Sequence, residues 1–446
     1  MFTTATLLAT DILARAGSGS SGFSRGGGGG GFGSSRGSGG GGIVFFGAGG
    51  GGGGGGLLLG LFVLVILAVA IPIMLAAYRK RQRAKAREAR HLEVASAAAA
   101  AADEDEAFDA DRLIADTAAM AVAIQQAWDA QDRSALSRML GPDLLLEWTM
   151  RLDDFDRRGW ADRVKVTGKP EIRLASLVNR ANDADDRVVV HITMAIDNWV
   201  DTPFGPQFPT GQESPQSELS EFWTLGKRDG RWILLSIEQE LEGAHHLDAP
   251  IVVDPTADPE LSDRSRTELA TSSATDMDHA ELAGLASTGF SDNARAAALD
   301  LALVDDRFSP DVLQIAANRA VAAWATAIDG ADDDLERLAD EDAVRVLLYG
   351  PDTTQRTRTV VRGPRIEDLT IDAVTGTPAG EDGAVAASTA SMQVQVHYRA
   401  RWYREDRETA AVLEGSKDLE TERTDRWTFA LTDDAEHPWR LVAVAA

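Results

Sequence analysis

Large apolar side chains alternate with more polar ones along two stretches of the chain. They occupy every second position at Val188, Val190, Ile192, Met194 and Ile196, and again at Val394, Val396 and Tyr398, with Trp402 four residues further on the same face. Neighbouring side chains of a strand point to opposite faces of its sheet, so this period predicts sheets with one buried face. A hairpin follows each stretch, and Asp229-Gly230 is a typical turn of the first.

The whole pattern occurs twice, at an offset of about 200 residues. Residues 105–113 correspond to residues 305–313 without a gap, and the helix that follows carries a large apolar knob in each copy, Trp128 or Trp324. Each copy therefore places helices before an antiparallel sheet. This order predicts an α+β fold in which helices pack on one face of a curved sheet, in two tandem domains.

The distribution of glycine and of charged residues sets the boundaries of the remaining segments. Residues 1–56 hold 24 of the 42 glycines, and residues 243–293 hold ten acidic and two basic residues. Such compositions do not build a core and predict disorder or a linker. The predicted organisation is a Gly-rich disordered tail (1–56), a transmembrane helix (57–77), a basic then Ala-rich helical stalk (78–104), a first domain (105–242), an acidic linker (243–293) and a second, divergent domain (294–446). The two domains are expected to fold independently.

The predicted transmembrane helix is a run of 21 residues without a charge, 57–77. At about 1.5 Å per residue it spans a hydrocarbon core of about 30 Å. A basic cluster lies on its C-terminal side only, which predicts a single-pass cell-membrane protein with its tail outside and its domains in the cytoplasm. The cluster is expected to contact anionic lipid headgroups through Arg79, Lys80, Arg81, Arg83, Lys85 and Arg87.

The formal net charge is −26, and the acidic excess lies entirely beyond residue 90. Nucleic-acid binding needs a basic surface, so it is not expected. The chain has no cysteine, which excludes disulfides, thiolate metal sites and cysteine nucleophiles. Only six residues are lysine, in a chain rich in Ala, Asp and Arg, and this composition suggests a bacterial source.

Few residues suggest a catalytic or metal-binding site. The adjacent pair His245-His246 would point to opposite sides of an extended chain, which argues against a shared metal ion. His191 and His397 lie on the more polar face of the predicted strands, so both are expected to be solvated. No catalytic, cofactor or metal residue is predicted. Core or domain-lining roles are expected for Trp128, Trp223, Trp232, Trp324, Trp427 and Trp439.

The segments AIQQAWDAQDRSAL, PDLLLEW, VNRANDADDRVVVHITMAIDNWVD and SEFWTLGKRDGRWILLSIEQE resemble the Tim44-like domain. The resemblance covers about 105–242 well and 294–446 more weakly. That family includes the membrane-peripheral half of the matrix-side tether of the mitochondrial presequence translocase, and bacterial membrane proteins. It implies a cone similar to that of nuclear transport factor 2, and a membrane-associated binding role.

Two functions follow from the sequence. The first is a membrane-anchored scaffold whose domains bind a peptide, a lipid or a membrane protein at the inner face, linked to membrane protein transport or assembly. Its acidic domains favour a basic amphipathic peptide. The alternative is a cone-fold enzyme, a hydrolase or isomerase, with a buried Asp or His as acid or base. An apolar groove would favour the first, and a buried titratable group in the cone the second.

Overall fold

The chain forms two α+β units, each with helices that pack against a six-stranded sheet. The computed structural model describes residues 74, 78, 81–208, 214–254, 288–328, 330, 332–377, 390–434 and 437–445. The predicted α+β class with antiparallel sheets is confirmed. Each unit has its own apolar core, one centred on Trp128 and one on Trp324.

The first unit holds helices α1 (81–101), α2 (Ala110–Asp129), α3 (Arg133–Met139) and α4 (Pro142–Arg158). Its strands are β1 (Ala161–Val166), β2 (Glu171–Val178), β3 (Arg187–Thr202), β4 (Gly205–Gln207), β5 (Gln216–Arg228) and β6 (Arg231–Gln239). The sheet order is β1-β3-β5-β6, and β2 and β4 also pair with β3. Short 3-10 helices span Glu106–Phe108, Asp183–Asp185 and Glu242–Asp248.

The second unit holds helices α5 (Asp292–Ala302), α6 (Pro310–Ala327), α7 (Asp333–Leu338) and α8 (Glu341–Tyr349), and a 3-10 helix Asp306–Phe308. Its strands are β7 (Thr288–Phe290), β8 (Thr357–Thr375), β9 (Ser391–Asp406), β10 (Val412–Gly415), β11 (Thr421–Leu431) and β12 (Trp439–Ala445). The order is β12-β11-β9-β8-β7, with β10 on β9. Strand β7 runs parallel to β8, and the other named pairs are antiparallel.

Local sequence explains the hairpin between β5 and β6. Asp229 and Gly230 both have positive φ, 52° and 70°. Two consecutive left-handed residues match the twist of the flanking strands, and Asp-Gly adopts this conformation readily. The predicted hairpin turn is confirmed.

The repeat is also seen in side-chain packing. Phe108 packs edge-on against Trp232 with ring centroids 5.4 Å apart, and Phe308 packs against Trp439 at 5.2 Å. In each unit the indole N–H donates to the carbonyl of the residue before the phenylalanine, at 2.9 and 2.8 Å. The same contact therefore joins the last strand of each sheet to a 3-10 helix, the one that precedes α2 in the first unit and α6 in the second.

Helix α1 is part of the first unit, which differs from the predicted boundary at residue 105. Val94, Ala98 and Ala101 are fully buried in the first core. Ala294 and Ala298 of α5 occupy the corresponding positions of the second unit and are also buried. The Ala-rich half of the predicted stalk is therefore a core helix, because its small side chains let the helix approach the sheet.

Helix α1 also covers the outer edge of β2. The backbone N–H of Leu174 donates to Nδ1 of His91 at 3.1 Å, and Nε of Arg90 donates to the carbonyl of Ala175 at 2.8 Å. An uncovered strand edge offers unpaired backbone groups to other chains. The helix satisfies two of these groups.

Among the described residues, no helix is long and apolar enough to cross a bilayer. The predicted span at 57–77 lies outside them except for Met74. The predicted tail at 1–56 and residues 255–287 of the predicted linker also lie outside the described residues.

Candidate functional site

The start of the predicted linker is folded onto the first unit. Residues Glu242–Asp248 form a 3-10 helix on the outer face of the first sheet. A β-carbon on Gly243 would lie 2.6 Å from Cδ2 of Phe222, so any other residue here would force Phe222 or the helix to move. Beyond the helix, the backbone of Val252 bonds to that of Leu177 and Asn179, both at 2.9 Å. The prediction that the linker begins at 243 is therefore wrong.

The helical turn brings His245 and His246 together, with ring centroids 4.0 Å apart. Nε2 of His246 lies 3.2 Å from Oε1 of Glu238, and Nδ1 of His245 lies 3.7 Å from the other oxygen of that carboxylate. The expectation that the histidines point to opposite sides was wrong, because it assumed an extended chain. Glu238 is fully buried. Burial raises its pKa, but His246, His245 and Arg362 outweigh burial and hold the pKa well below its usual range.

The second unit completes this cluster. Glu242 Oε1 accepts hydrogen bonds from the Tyr403 hydroxyl at 2.7 Å and from Nε of Arg362 at 3.4 Å. Nη1 of Arg362 also lies 3.6 Å from Glu238. The backbone of the second unit approaches closely here, since a β-carbon on Gly363 would be 2.7 Å from Cγ of His245.

A second group of buried charged residues joins the two units, next to the cluster around Glu238. Glu147 of α4 pairs with Arg407 and, at 3.3 Å, with Arg358. Arg358 and Lys417 in turn pair with Glu405 at 3.0 and 3.1 Å. All five side chains are less than a tenth exposed. Only Glu147 belongs to the first unit, so separating the units would leave its buried carboxylate without Arg407 and Arg358. The structure therefore argues against two independent domains.

None of these interface residues was identified from the sequence. In the sequence, such a residue is marked only by its charge within an otherwise apolar strand pattern, as at Arg358, Arg362 and Glu405. Such residues are most often solvated, and only the opposite unit shows that they are buried.

A cavity of about 540 Å³ lies next to the histidines, between the two units. Its charged and imidazole side chains are Arg180, Asp185, Arg187, His245 and His246 from the first unit, and Asp333, Asp334 and Arg337 from α7 of the second. This volume is typical of a ligand site. The cavity is therefore a cleft of mixed charge, which we call the interunit cleft.

A separate group of carboxylates surrounds Lys227 of β5. Nζ of Lys227 contacts Asp105 and lies 2.7 Å from Asp186 and 3.8 Å from Asp183. It also lies 4.8 Å from the centre of the Phe108 ring. The ammonium group occupies the space between the carboxylates, so this group is a structural ion cluster.

Aromatic side chains occupy the interior of each unit. Trp128 and Trp148 meet edge-on with centroids 5.0 Å apart, and Trp324 meets Trp427 at 5.6 Å. Of the tryptophans predicted to form the core or line the domains, Trp128, Trp223, Trp324, Trp427 and Trp439 are buried, and Trp232 is partly buried.

In the described part of the chain, three buried carboxylates accept a hydrogen bond from an aromatic side chain of their own unit: Asp162 from Trp128 (2.7 Å), Glu221 from Trp223 (3.2 Å) and Asp425 from Tyr398 (2.9 Å). Burial raises the pKa of Asp425 above its ordinary value. Buried acids of this kind are what an acid–base enzyme would need. None of the three lines the interunit cleft.

His191 is buried, so the prediction that it is solvated was wrong. It is 2 % exposed and packs edge-on against Phe222. Its Nε2 lies 3.2 Å from the Ser220 hydroxyl, which donates to Glu240. Helix α1 contributes Arg87, whose Nη1 donates to the same carboxylate at 2.5 Å. His397 is more than a third exposed, as predicted.

The titration of His191 predicts a loss of stability in acid. Burial, with the positive charge of Arg87, lowers the pKa of His191 from 6.5 to about 4. The unfolded chain therefore binds this proton first, so the stabilisation is complete above about pH 6.5 and is lost as the pH falls towards 4. From pH 7.5 to pH 5 the free energy of unfolding should fall by about 2 kcal/mol more in the wild type than in His191→Asn.

Urea titrations of the wild type and the variant at both pH values test this difference. His397→Asn should keep the wild-type difference, and an unchanged difference in His191→Asn would contradict the prediction.

The predicted headgroup contacts fall into two groups. Arg81, Arg83 and Lys85 are exposed on α1, whereas the Arg87 side chain is 13 % exposed and pairs with Glu240. Arg79 and Lys80 lie outside the described residues.

Comparison with known proteins gives a family for the first unit. Residues 94–239 match the family model of the Tim44-like domain. The resemblance expected from the sequence is therefore confirmed for these residues, which lie within the first unit. The matched region begins at Val94, the first buried residue of α1. For residues 294–446 the resemblance stays a prediction.

No curated protein matches the chain. The matching solved structures include the intermembrane space region of the chloroplast protein ARC6, with 11% identity over 28% of this chain and 94% of that chain, at a TM-score of 0.22. Another is an Ntf2-like protein involved in plasmid conjugation, with 9% identity over 71% of this chain and 87% of that chain, at a TM-score of 0.16.

Proposed function

We propose that this protein, whose first unit matches the model of the Tim44-like domain, is a membrane-tethered binding module. In this proposal the segment 57–77 anchors the chain in the cell membrane, and both units lie at its inner face. A basic peptide segment of a partner protein occupies the interunit cleft. The observation that carries the proposal is the cavity of about 540 Å³ with walls from both units.

Charge supports a basic partner. Residues 91–446 hold twice as many acidic as basic residues. The cleft itself is lined by three aspartates and three arginines, so the favourable charge comes from the chain as a whole and, locally, from Asp333 and Asp334 on the second unit's side. Complementary charge speeds association and orients the partner. The backbone and short polar groups of the opposite wall, such as Ser176 and Thr224, could hold the polar main chain of an extended peptide.

The test measures the affinity of the full chain, in detergent, for basic amphipathic peptides. Asp333→Asn/Asp334→Asn should weaken binding about tenfold at low salt, which corresponds to about 1.4 kcal/mol. The control Asp292→Asn/Asp300→Asn removes the same charge from exposed positions of α5, outside the cleft, and should change affinity less than twofold. Binding should weaken as salt rises, because the charges are screened. Absent binding, or equal effects of the two variants, would refute the cleft as the peptide site.

The tether is tested separately, by topology. The chain has no cysteine, so single cysteines can be placed at Ser38 and Ser272. An impermeant maleimide on intact cells should label only the first. Labelling of the second would overturn the proposed orientation.

An acid–base enzyme is the weaker proposal. It draws support from the buried carboxylates of Asp162, Glu221 and Asp425, but each of these is held by a neighbouring aromatic donor. None of the three lines the interunit cleft, so a substrate held there would not meet these acids. The binding proposal uses the cleft itself.

A further inference from the structure

We propose that Glu238, His245 and His246 bind a divalent transition-metal ion of the zinc type. Two imidazoles and one carboxylate form a donor set that zinc commonly takes, with one position left for water or another ligand. This inference does not depend on peptide binding by the cleft.

The distances fit such an ion. One donor atom from each of the three side chains can be chosen so that all lie within 4.8 Å of one another. The contacts of His246 and His245 with the carboxylate are 3.2 and 3.7 Å. An ion with bonds of about 2.0–2.2 Å in a tetrahedron needs donors about 3.3–3.6 Å apart. Nδ1 of His245 also lies 3.1 Å from the carbonyl of Glu242, so the His245 ring must give up this contact before it can ligate the ion. Rotation of the side chains then forms the site.

The donors are also held in place before any ion arrives. Glu238 is on β6, and both histidines are on the 3-10 helix that packs against the same sheet. The His246 ring lies 5.9 Å from that of Phe222, and the backbone at Gly363 lies directly against His245. A site with fixed donors loses little conformational entropy on binding.

Arg362 is the main electrostatic competitor. Its guanidinium is 3.6 Å from Glu238 and compensates part of the carboxylate charge without a metal. In the metal-bound state it would act as an outer partner that orients the carboxylate, as hydrogen-bonded groups around metal ligands commonly do. The alternative state is a metal-free ion cluster of Arg362, Glu238 and the histidines, and the experiment below distinguishes the two.

The proposal places the remaining coordination position on the side of the interunit cleft, because His245 and His246, but not the buried Glu238, line that cavity. A bound ion would therefore be reached by water or by a donor atom of a molecule in the cleft. Sites with an open position exchange ligands, whereas closed structural sites do not.

The test uses the untagged full chain, stripped with a chelator and titrated with Co²⁺ and then Zn²⁺. We expect one equivalent of Co²⁺ with the visible absorption of a four- or five-coordinate ion, displaced by Zn²⁺. His246→Ala and Glu238→Gln should each lower the affinity about 100-fold or more, since even outer-sphere partners are worth 10- to 100-fold. The control His437→Ala changes a histidine that lies 3.8 Å from a carboxylate elsewhere, Asp434, and should bind as the wild type does.

Circular dichroism checks that each variant is folded. If His246→Ala does not fold, His245→Gln replaces it, because the His245 side chain is 21% exposed and tolerates change better. No stoichiometric binding by the wild type, or unchanged binding in a folded His246→Ala or His245→Gln variant, would overturn the metal site and leave the ion cluster.

Discussion

Glu147→Gln is expected to lower the free energy of unfolding by about 3–5 kcal/mol, the usual cost of removing one partner from a buried ion pair. Glu147 is 3 % exposed, and one of its oxygens accepts hydrogen bonds from Nε and Nη2 of Arg407. The same oxygen lies 3.3 Å from Arg358. Glutamine keeps the shape but removes the charge, so two buried guanidinium groups lose their shared counterion.

A nearby arginine makes this loss more severe. Arg151, one turn along α4, is buried, and its burial lowers its pKa to about 10 against the attraction of Glu405, Asp154 and other acids. Positive charge is therefore already concentrated at this part of the interface. Removing Glu147 leaves Glu405 as the carboxylate shared by Arg358 and Lys417.

The matched control is Glu408→Gln. Glu408 pairs with Arg157 at 3.0 Å across the same interface, but the two side chains are 45% and 58% exposed. Exposed pairs of this kind contribute about 0–1 kcal/mol. Urea unfolding of the full chain, followed by circular dichroism, compares the two variants. Similar small effects in both would show that the units are not held together by the buried charges.

Trp128→Ala is expected to destabilise the first unit by about 3–5 kcal/mol, because it removes a large buried side chain and leaves a cavity. Trp128 is fully buried and packs edge-on against Trp148. Its indole also donates to Asp162, which is itself 1% exposed. The substitution therefore removes a hydrogen bond to a buried carboxylate together with the apolar contacts.

Two further variants separate these contributions. Trp128→Phe retains most of the ring packing and loses the hydrogen bond, so it should cost about 1–3 kcal/mol. Trp199→Ala removes an indole that also donates to an aspartate, Asp201, at 2.8 Å, but from a partly exposed position of β3. It should cost about 1 kcal/mol or less. A loss in Trp128→Ala no larger than in Trp199→Ala would contradict the assigned core position.

The sequence was sufficient for features that depend on local pattern. Alternation of apolar residues identified β3 and β9, and Asp229-Gly230 identified the hairpin, because strand and turn conformations are decided by neighbouring residues. The in-register repeat located the corresponding helices α2 and α6. It could also have located α1, since an offset of 200 places Val94 and Ala98 opposite Ala294 and Ala298.

The candidate site could not be predicted in the same way, because its burial depends on segments far apart in sequence. His191 lies on the polar face of β3, as its alternation indicates, but Phe222 of β5 packs against its ring and Arg87 of α1 lies near enough to lower its pKa. His245 and His246 meet only because that segment is helical. Its close approach to the sheet depends on Gly243, which no periodicity reveals.

Helix α1 determines the direction in which the basic side chains near its start point relative to the two units. Arg87, Arg90 and His91 fix its angular position against the first sheet, while Arg81, Arg83 and Lys85 on the same helix are exposed. A helix turns about 100° and rises about 1.5 Å per residue. One residue inserted after Lys85 would turn Arg81, Arg83 and Lys85 by about 100° relative to both units, whereas four would return them to within about 40°. The direction in which these basic side chains point around the helix axis is thus determined by the number of residues that separate them from Arg87.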